Sequence, residues 1–283
     1  MTRDEILKRL IEIDIEIDSN QTQTDSIKVT VNGTFGKLGS RWSIMYAPDL
    51  LIQVTLTGQL ALAMIIERME AAGLQVVSAN TDGIVLYIHE SQYEKLNAIK
   101  NQWCKEASLK MEETRYKALY SRDVNNYCAV KMDDKVKLKG AYSNPWNDKE
   151  MGIFRFHKNP ATTICIEAVE KMLVSNIPIE QTIRECEQIE KFIFVRDVAG
   201  GAHMNGVYLG KTCRWYYGQD VRGGINYVTN GNNVSESEGA VPLMDIVNYI
   251  PADINYNFYI EKTNAMLYDI GFYRKAKELE LFD

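Results

Sequence analysis

The stretch from Pro48 to Ile88 constrains the fold more than any other part of the chain, because its boundaries are marked. Pro48 and Asp49 open a helix, since proline fits a first turn, where its missing N–H costs nothing. Gly73 is placed to stop that helix. Two β-rich runs follow, Val76-Val77-Ser78-Ala79 and Ile84 to Ile88, with only Asn80-Thr81-Asp82-Gly83 between them. An Asp-Gly between two such runs signals a hairpin.

The remaining segments fit around this helix–hairpin unit. Ser91 to about Leu109 reads as a helix, and Tyr116 to Tyr142 as short strands with a polar turn at Asp133-Asp134. The character changes near Asn144. Beyond it, 161–175 and 179–194 are amphipathic helices, 208–217 is strand-like, 230–239 is a polar loop, and 254–270 is a helix. The N-terminal segment is ambiguous. Ile11, Ile13, Ile15 and Ile17 alternate with acids as in a strand, whereas Ile6, Leu7, Leu10 and Ile11 fit a helix face. Ser19 to Ser26 is loop-like, or the solvated start of a helix. The fold class is mixed α/β (α+β).

Composition bounds the function. At 283 residues, with 46% hydrophobic and 25% charged side chains, the chain has the core-forming content of a folded protein of two ordinary domains or one split into lobes. The longest apolar candidate, Leu50 to Met69, is interrupted by Gln53, Thr55, Thr57, Gln59 and Glu67, so no membrane partner is expected. The first residues lack the apolar core of a signal peptide. Five cysteines without a C-x-x-C pair read as reduced thiols, which implies a cytoplasmic location. A net charge of −6 argues against a chain that coats nucleic acid indiscriminately, while leaving room for a local basic groove.

Two constellations carry chemistry. Asp82, at a tight turn, offers a rigidly held carboxylate suited to a hard cation such as Mg²⁺; the alternative is a type I′ turn and nothing more. Lys28, Asn32 and Phe35 stand at i, i+4 and i+7, one stripe if the segment is helical. A cation, an amide and a ring suit the phosphates, edge and face of a nucleotide; the alternative is a mixed helix face. Gly36 would let another chain pass close.

Together these resemble the polymerase core of family B DNA polymerases, especially the phage and protein-primed branches. The family's K-x-x-x-N-S-x-Y-G stands here as Lys28-Val-Thr-Val-Asn32-Gly33-Thr34-Phe35-Gly36, and its D-T-D-S as Asn80-Thr81-Asp82-Gly83. The resemblance covers about 20–142. It implies partial fingers over 1–39, a palm with an antiparallel sheet over 40–143, and a mainly helical thumb over 144–283. It implies DNA-directed DNA synthesis by two-metal nucleotidyl transfer from a deoxynucleoside triphosphate to a primer 3′-hydroxyl. Asp82 would bind the Mg²⁺ pair, Lys28 the triphosphate, and Asn32, Phe35, Gly36 and Thr81 the nucleotide. Asn80 departs from the pattern, since an amide is a neutral and weaker ligand than a carboxylate. The family's first motif, D-x-x-S-L-Y-P, has no match upstream of Lys28. The nearest lookalike, Asp245 to Pro251, lies on the wrong side. The resemblance therefore implies an upstream partner fragment, bearing the exonuclease and the first catalytic Asp, from a split gene or a longer product. The alternative is a non-catalytic DNA-binding or interaction module derived from a polymerase.

A third family element, K-x-Y, which grips the primer, stands as Asn125-Asn126-Tyr127. Lys137 and Lys139, two apart on the next strand, share a face and could contact phosphates, or could simply protect an edge. Further on, Tyr208, Lys211, Arg214, Trp215, Tyr216, Tyr217 and Arg222 interleave bases with aromatics. That suits a surface gripping a duplex backbone, or equally a half-buried strand. Gly206 to Thr212 is a near miss for a P-loop, and the three histidines have no ligand spacing.

Overall fold

The computed structural model describes residues 3–81, 83–144, 161–245 and 247–273, with the side chains of residue 20 and of residues from 22 onward in its first helix. Contacts divide the chain into two compact units, Met1–Met111 and Glu112–Asp283. The division falls inside the 40–143 span, and the Asn144 boundary runs into residues 145–160, outside those described.

In the first unit, α1 (Arg3–Leu38) is a single helix that absorbs both ambiguous N-terminal segments. The polar stretch is helical because its hydroxyls do not compete for the backbone from outside. Thr24, Ser26, Thr30 and Thr34 each donate to the carbonyl four residues back at 2.8–2.9 Å. Helix α2 (Pro48–Ala71) starts at its proline and ends as its glycine dictates. Gly73 takes a left-handed φ of 75°. Its N–H bonds Glu70 O at 2.8 Å, and the Leu74 N–H bonds Met69 O at 2.9 Å, the paired bonds of a Schellman stop. Strands β1 (Gln75–Ala79) and β2 (Ile84–Tyr87) form the antiparallel hairpin with Ala79 opposite Ile84. Helix α3 (Tyr93–Ala107) follows a short 3-10 turn and ends at Ser108, which is left-handed at φ 54°.

The core of this unit is small: Ile65, Met69, Leu74, Leu96 and Trp103. The Trp103 indole N–H bonds Ala61 O at 2.9 Å, tying α3 to α2. Only the second half of α2 is covered. Leu50, Ile52, Val54, Leu56 and Leu60 are 51–69% exposed. By length and composition α2 is long and apolar enough to cross a membrane. This corrects the reading of Leu50–Met69 from uninterrupted runs, because its polar residues are too sparse to offset the aliphatic ones.

The second unit holds two antiparallel sheets. The first is a meander of β3 (Tyr116–Asp123), β4 (Asn126–Lys131) and β5 (Val136–Lys139). The second has order β8-β6-β7-β9: β6 (Phe194–Met204), β7 (Val207–Tyr217), β8 (Asn226–Tyr227) and β9 (Ala240–Pro242). Helices α4 (Thr163–Ser175), α5 (Ile179–Arg184) and α6 (Tyr256–Asp269) complete it. The helix expected over 179–194 stops at Arg184, and the continuous apolar run Phe192-Ile193-Phe194-Val195 leads instead into the buried start of β6. Asn255 caps α6, accepting from the Phe258 N–H at 3.1 Å. One continuous core joins both sheets and the helices, with Cys128, Ile164, Ile183, Phe192, Trp215 and Tyr259 among its members. The meander belongs to this core: Tyr142, just beyond β5, is buried and donates its hydroxyl to Met266 O at 3.1 Å.

Candidate nucleic-acid interface

The first unit presents the Lys28 stripe and the hairpin. Because α1 is helical throughout, Lys28, Asn32 and Phe35 do share a face. Lys28 is 66% exposed and pairs with Asp25 at 3.6 Å; Phe35 is 40% exposed. A Cβ built on Gly36 meets nothing within 4 Å, so no other part of the described chain passes close to it. The hairpin loop is closed by the Asn80 N–H, which donates to Gly83 O at 2.9 Å. The type of the Asp82-Gly83 turn lies outside the described residues. Thr81 is exposed, and Asp82 lies outside the described residues.

The second unit presents the meander, whose two faces differ sharply. Ladder partners Tyr120, Cys128 and Leu138, and Ala118, Val130 and Val136, stand on one face, where Tyr120, Cys128, Leu138 and Val136 belong to or pack against the core and Val130 is buried. The other face carries Leu119 and Ser121 from β3, Tyr127, Ala129 and Lys131 from β4, and Lys137 and Lys139 from β5. Tyr127 stands directly opposite Lys139, and Ala129 opposite Lys137. The register thus brings Tyr127, Lys137 and Lys139 together. This face holds three lysines and no carboxylate among its strand residues, in a chain that is acidic overall.

Tyr116 was not singled out by the sequence. By simple alternation it should lie with Ala118 and Tyr120 toward the core. A β-bulge intervenes: Tyr116 pairs with Lys131, but Ala118 already pairs with Val130, so Lys117 is an extra residue. The bulge moves Tyr116 to the lysine-bearing face. Burial pulls the Lys137 ammonium down, but the phenols of Tyr116 and Tyr127 beside it outweigh this and hold it above the ordinary lysine value. Nothing in Arg115-Tyr116-Lys117, such as a glycine, marks the bulge in advance.

The residues that stand for K-x-Y have local roles. The Asn126 side chain accepts from the Ala141 N–H at 2.7 Å and donates to both Asp123 oxygens at 2.8 and 2.9 Å. Those bonds, with one from the Asn125 N–H, hold the Asp123 carboxyl below its usual range. The turn between β3 and β4 is thereby fastened to the end of β5.

On β7 the half-buried strand is what forms. Trp215 stacks on Phe194 with centroids 4.7 Å apart, and Trp215, Tyr216 and Tyr217 are all buried. Trp215, Tyr216 and Tyr217 are therefore core and offer no stacking surface, while Tyr208, at the other end of the strand, is exposed. Lys211 is exposed and Arg214 half-buried, and their three-residue spacing puts them on opposite faces of the strand. Asn205 and Gly206, both with positive φ, form the β6–β7 hairpin turn where the P-loop lookalike begins.

Among the described residues no three His, Cys, Asp or Glu side chains gather to hold a metal ion. Within Asn80-Thr81-Asp82-Gly83, Asn80 contributes only a neutral amide. The described residues by themselves therefore do not fit a two-metal centre, which needs carboxylates on both sides of the ions.

No family model matches the chain. Among solved structures it is similar to the family B DNA polymerase from Pyrobaculum calidifontis, with 14% identity and a TM-score of 0.49, covering 96% of this chain and 38% of that one. Among curated proteins it is 28% identical over 128 residues to DNA polymerase 1 of Saccharolobus solfataricus, and 25% identical over 127 residues to DNA polymerase 1 of Sulfolobus acidocaldarius. Each match takes in 44% of this chain and spans only 14% of the relative's own length. Over somewhat less than half its residues, the chain is thus a homologue of archaeal proteins named DNA polymerase 1.

Proposed function

We propose that the chain is part of a family B DNA polymerase and acts in template-directed extension of a primer by deoxynucleoside triphosphates. The observation that carries this reading is the sequence match to three archaeal proteins named DNA polymerase 1. The helical stripe and the hairpin support it. Lys28 would neutralise the triphosphate, Asn32 and Phe35 would bracket the nascent base pair, and the open side of Gly36 would leave room for it. On the second unit Tyr127, Lys137 and Lys139 would track the primer strand, with the exposed Lys211 as a further phosphate contact; Arg214, half-buried on the opposite face of β7, does not join it. Assignment to the phage or protein-primed branches rests only on the form of the two motifs.

Magnesium belongs to this reading through Asp82 and a second carboxylate supplied by another polypeptide segment, which carries the first motif. The experiment is primer extension with this chain alone and with a polypeptide bearing D-x-x-S-L-Y-P. Synthesis only in the mixture supports the reading; no synthesis in either, with both components folded, overturns it.

One observation favours a second reading, a non-catalytic DNA-binding module: Asn80 stands where the family has a carboxylate. Under that reading, the mixture binds primer–template DNA and extends nothing.

A further inference from the structure

The bulge at Lys117 builds a cluster that the family motif does not supply. The motif places a lysine two residues before its tyrosine; here that position is Asn125, whose backbone N–H bonds Asp123 at 2.9 Å. The missing cation has a substitute across the sheet. Lys137 stands opposite Ala129 on the face that carries Tyr127, and the bulge delivers a second phenol, Tyr116, to the same face. We propose that Tyr116 is a positioning residue that holds Lys137 beside Tyr127, so that Lys137 takes the strand phosphate for which Asn125 has no charge. This rests on the polymerase reading and extends it to one named phosphate contact.

Three features support the assignment. A bulge is a means of re-aiming one side chain, and here it re-aims a tyrosine away from a core that its neighbours Ala118 and Tyr120 face. Both phenols lie near enough to Lys137 to act on its ammonium against the pull of burial. The face is basic, with no acid among its strand residues to compete for the lysine. A phenol beside an ammonium restrains a long, flexible side chain without neutralising it, which leaves the charge available to a phosphodiester.

The test uses the whole chain and a fluorescently labelled primer–template duplex, with affinity measured across a salt series. Lys137→Gln should weaken binding severalfold and make the salt slope shallower by about 0.9, the loss of one phosphate contact. Lys137→Arg should keep the wild-type slope. Adding Asn125→Lys to Lys137→Gln should restore both affinity and slope, which a merely structural lysine would not allow. Tyr116→Phe should weaken binding while lowering the Lys137 ammonium pKa, followed by NMR of its side-chain nitrogen. An unchanged slope in Lys137→Gln, or an unchanged Lys137 titration in Tyr116→Phe, overturns the inference. A wild-type chain that binds no duplex sinks the polymerase reading along with it, whereas normal wild-type binding with an insensitive Lys137 sinks this inference alone.

Discussion

Gly140 lies so close to the turn before β4 that a Cβ on it would sit 2.4 Å from the Asn125 carbonyl oxygen. Its φ of 61° is also one that side chains disfavour. The next residue, Ala141, gives its N–H to Asn126, so strand end and turn are joined by contact and by hydrogen bond. Gly140→Ala is expected to destabilise the second unit by about 2–4 kcal/mol, from left-handed strain plus displacement of backbone. Urea unfolding followed by tryptophan fluorescence measures this. Since the same turn precedes Tyr127, weaker DNA binding should accompany the loss.

Gly36 has the opposite balance. It stands in a helix with open space around it, so an added methyl meets nothing and reduces the freedom of the unfolded chain. Gly36→Ala should stabilise the first unit by about 0.5–1 kcal/mol. If the nucleotide approaches there, the same variant should raise the KM for deoxynucleoside triphosphates in the reassembled enzyme. A gain in stability with unchanged KM would remove Gly36 from the site.

Asp82→Ala tests the Asn80-Thr81-Asp82-Gly83 motif directly. In the mixture that extends primers, the variant should abolish synthesis and leave duplex affinity within about twofold, since a metal-held carboxylate serves the chemistry more than the docking. Retained synthesis would take Asp82 out of the mechanism.

The cysteines should report on folding. Cys128, Cys165 and Cys213 are buried, whereas Cys104 and Cys186 are partly accessible. Under native conditions a thiol reagent should label the latter two and spare the other three, read by mass spectrometry of peptides. Burial, with Glu170 nearby, pushes the Cys128 thiol up to about 12. In the unfolded chain a thiol ionises near pH 8.5. Between these values the folded state keeps a proton that the unfolded state releases, so stability should fall as pH rises above about 9. Cys128→Ser should flatten part of that decline.

The parts legible in the sequence were those fixed by local signals. Pro48 and Gly73 mark α2 because each has a conformational property needed at that place, and the hairpin follows from two β-rich runs too close together to be joined otherwise. Where a distant partner decides the outcome, reading failed or stayed open. The segment 19–26 stayed open for a different reason: its polar side chains suit a loop as well as a helix, and in α1 the hydroxyls of Thr24 and Ser26 are accommodated by carbonyls one turn back. Trp215, Tyr216 and Tyr217 look like a surface for bases until β7 proves to be an inner strand flanked by β6 and β9. In the candidate site, Lys28, Asn32 and Phe35 needed only helical spacing to be grouped. Tyr116 needed the register of two strands, and its bulge inverts what alternation implies.

The uncovered half of α2 has a practical consequence. Five large aliphatic side chains kept in water along one helix exceed what a solitary soluble domain ordinarily tolerates. Purified by itself, the chain should stick to copies of itself, with a sedimentation coefficient that climbs with concentration and falls when mild detergent is added.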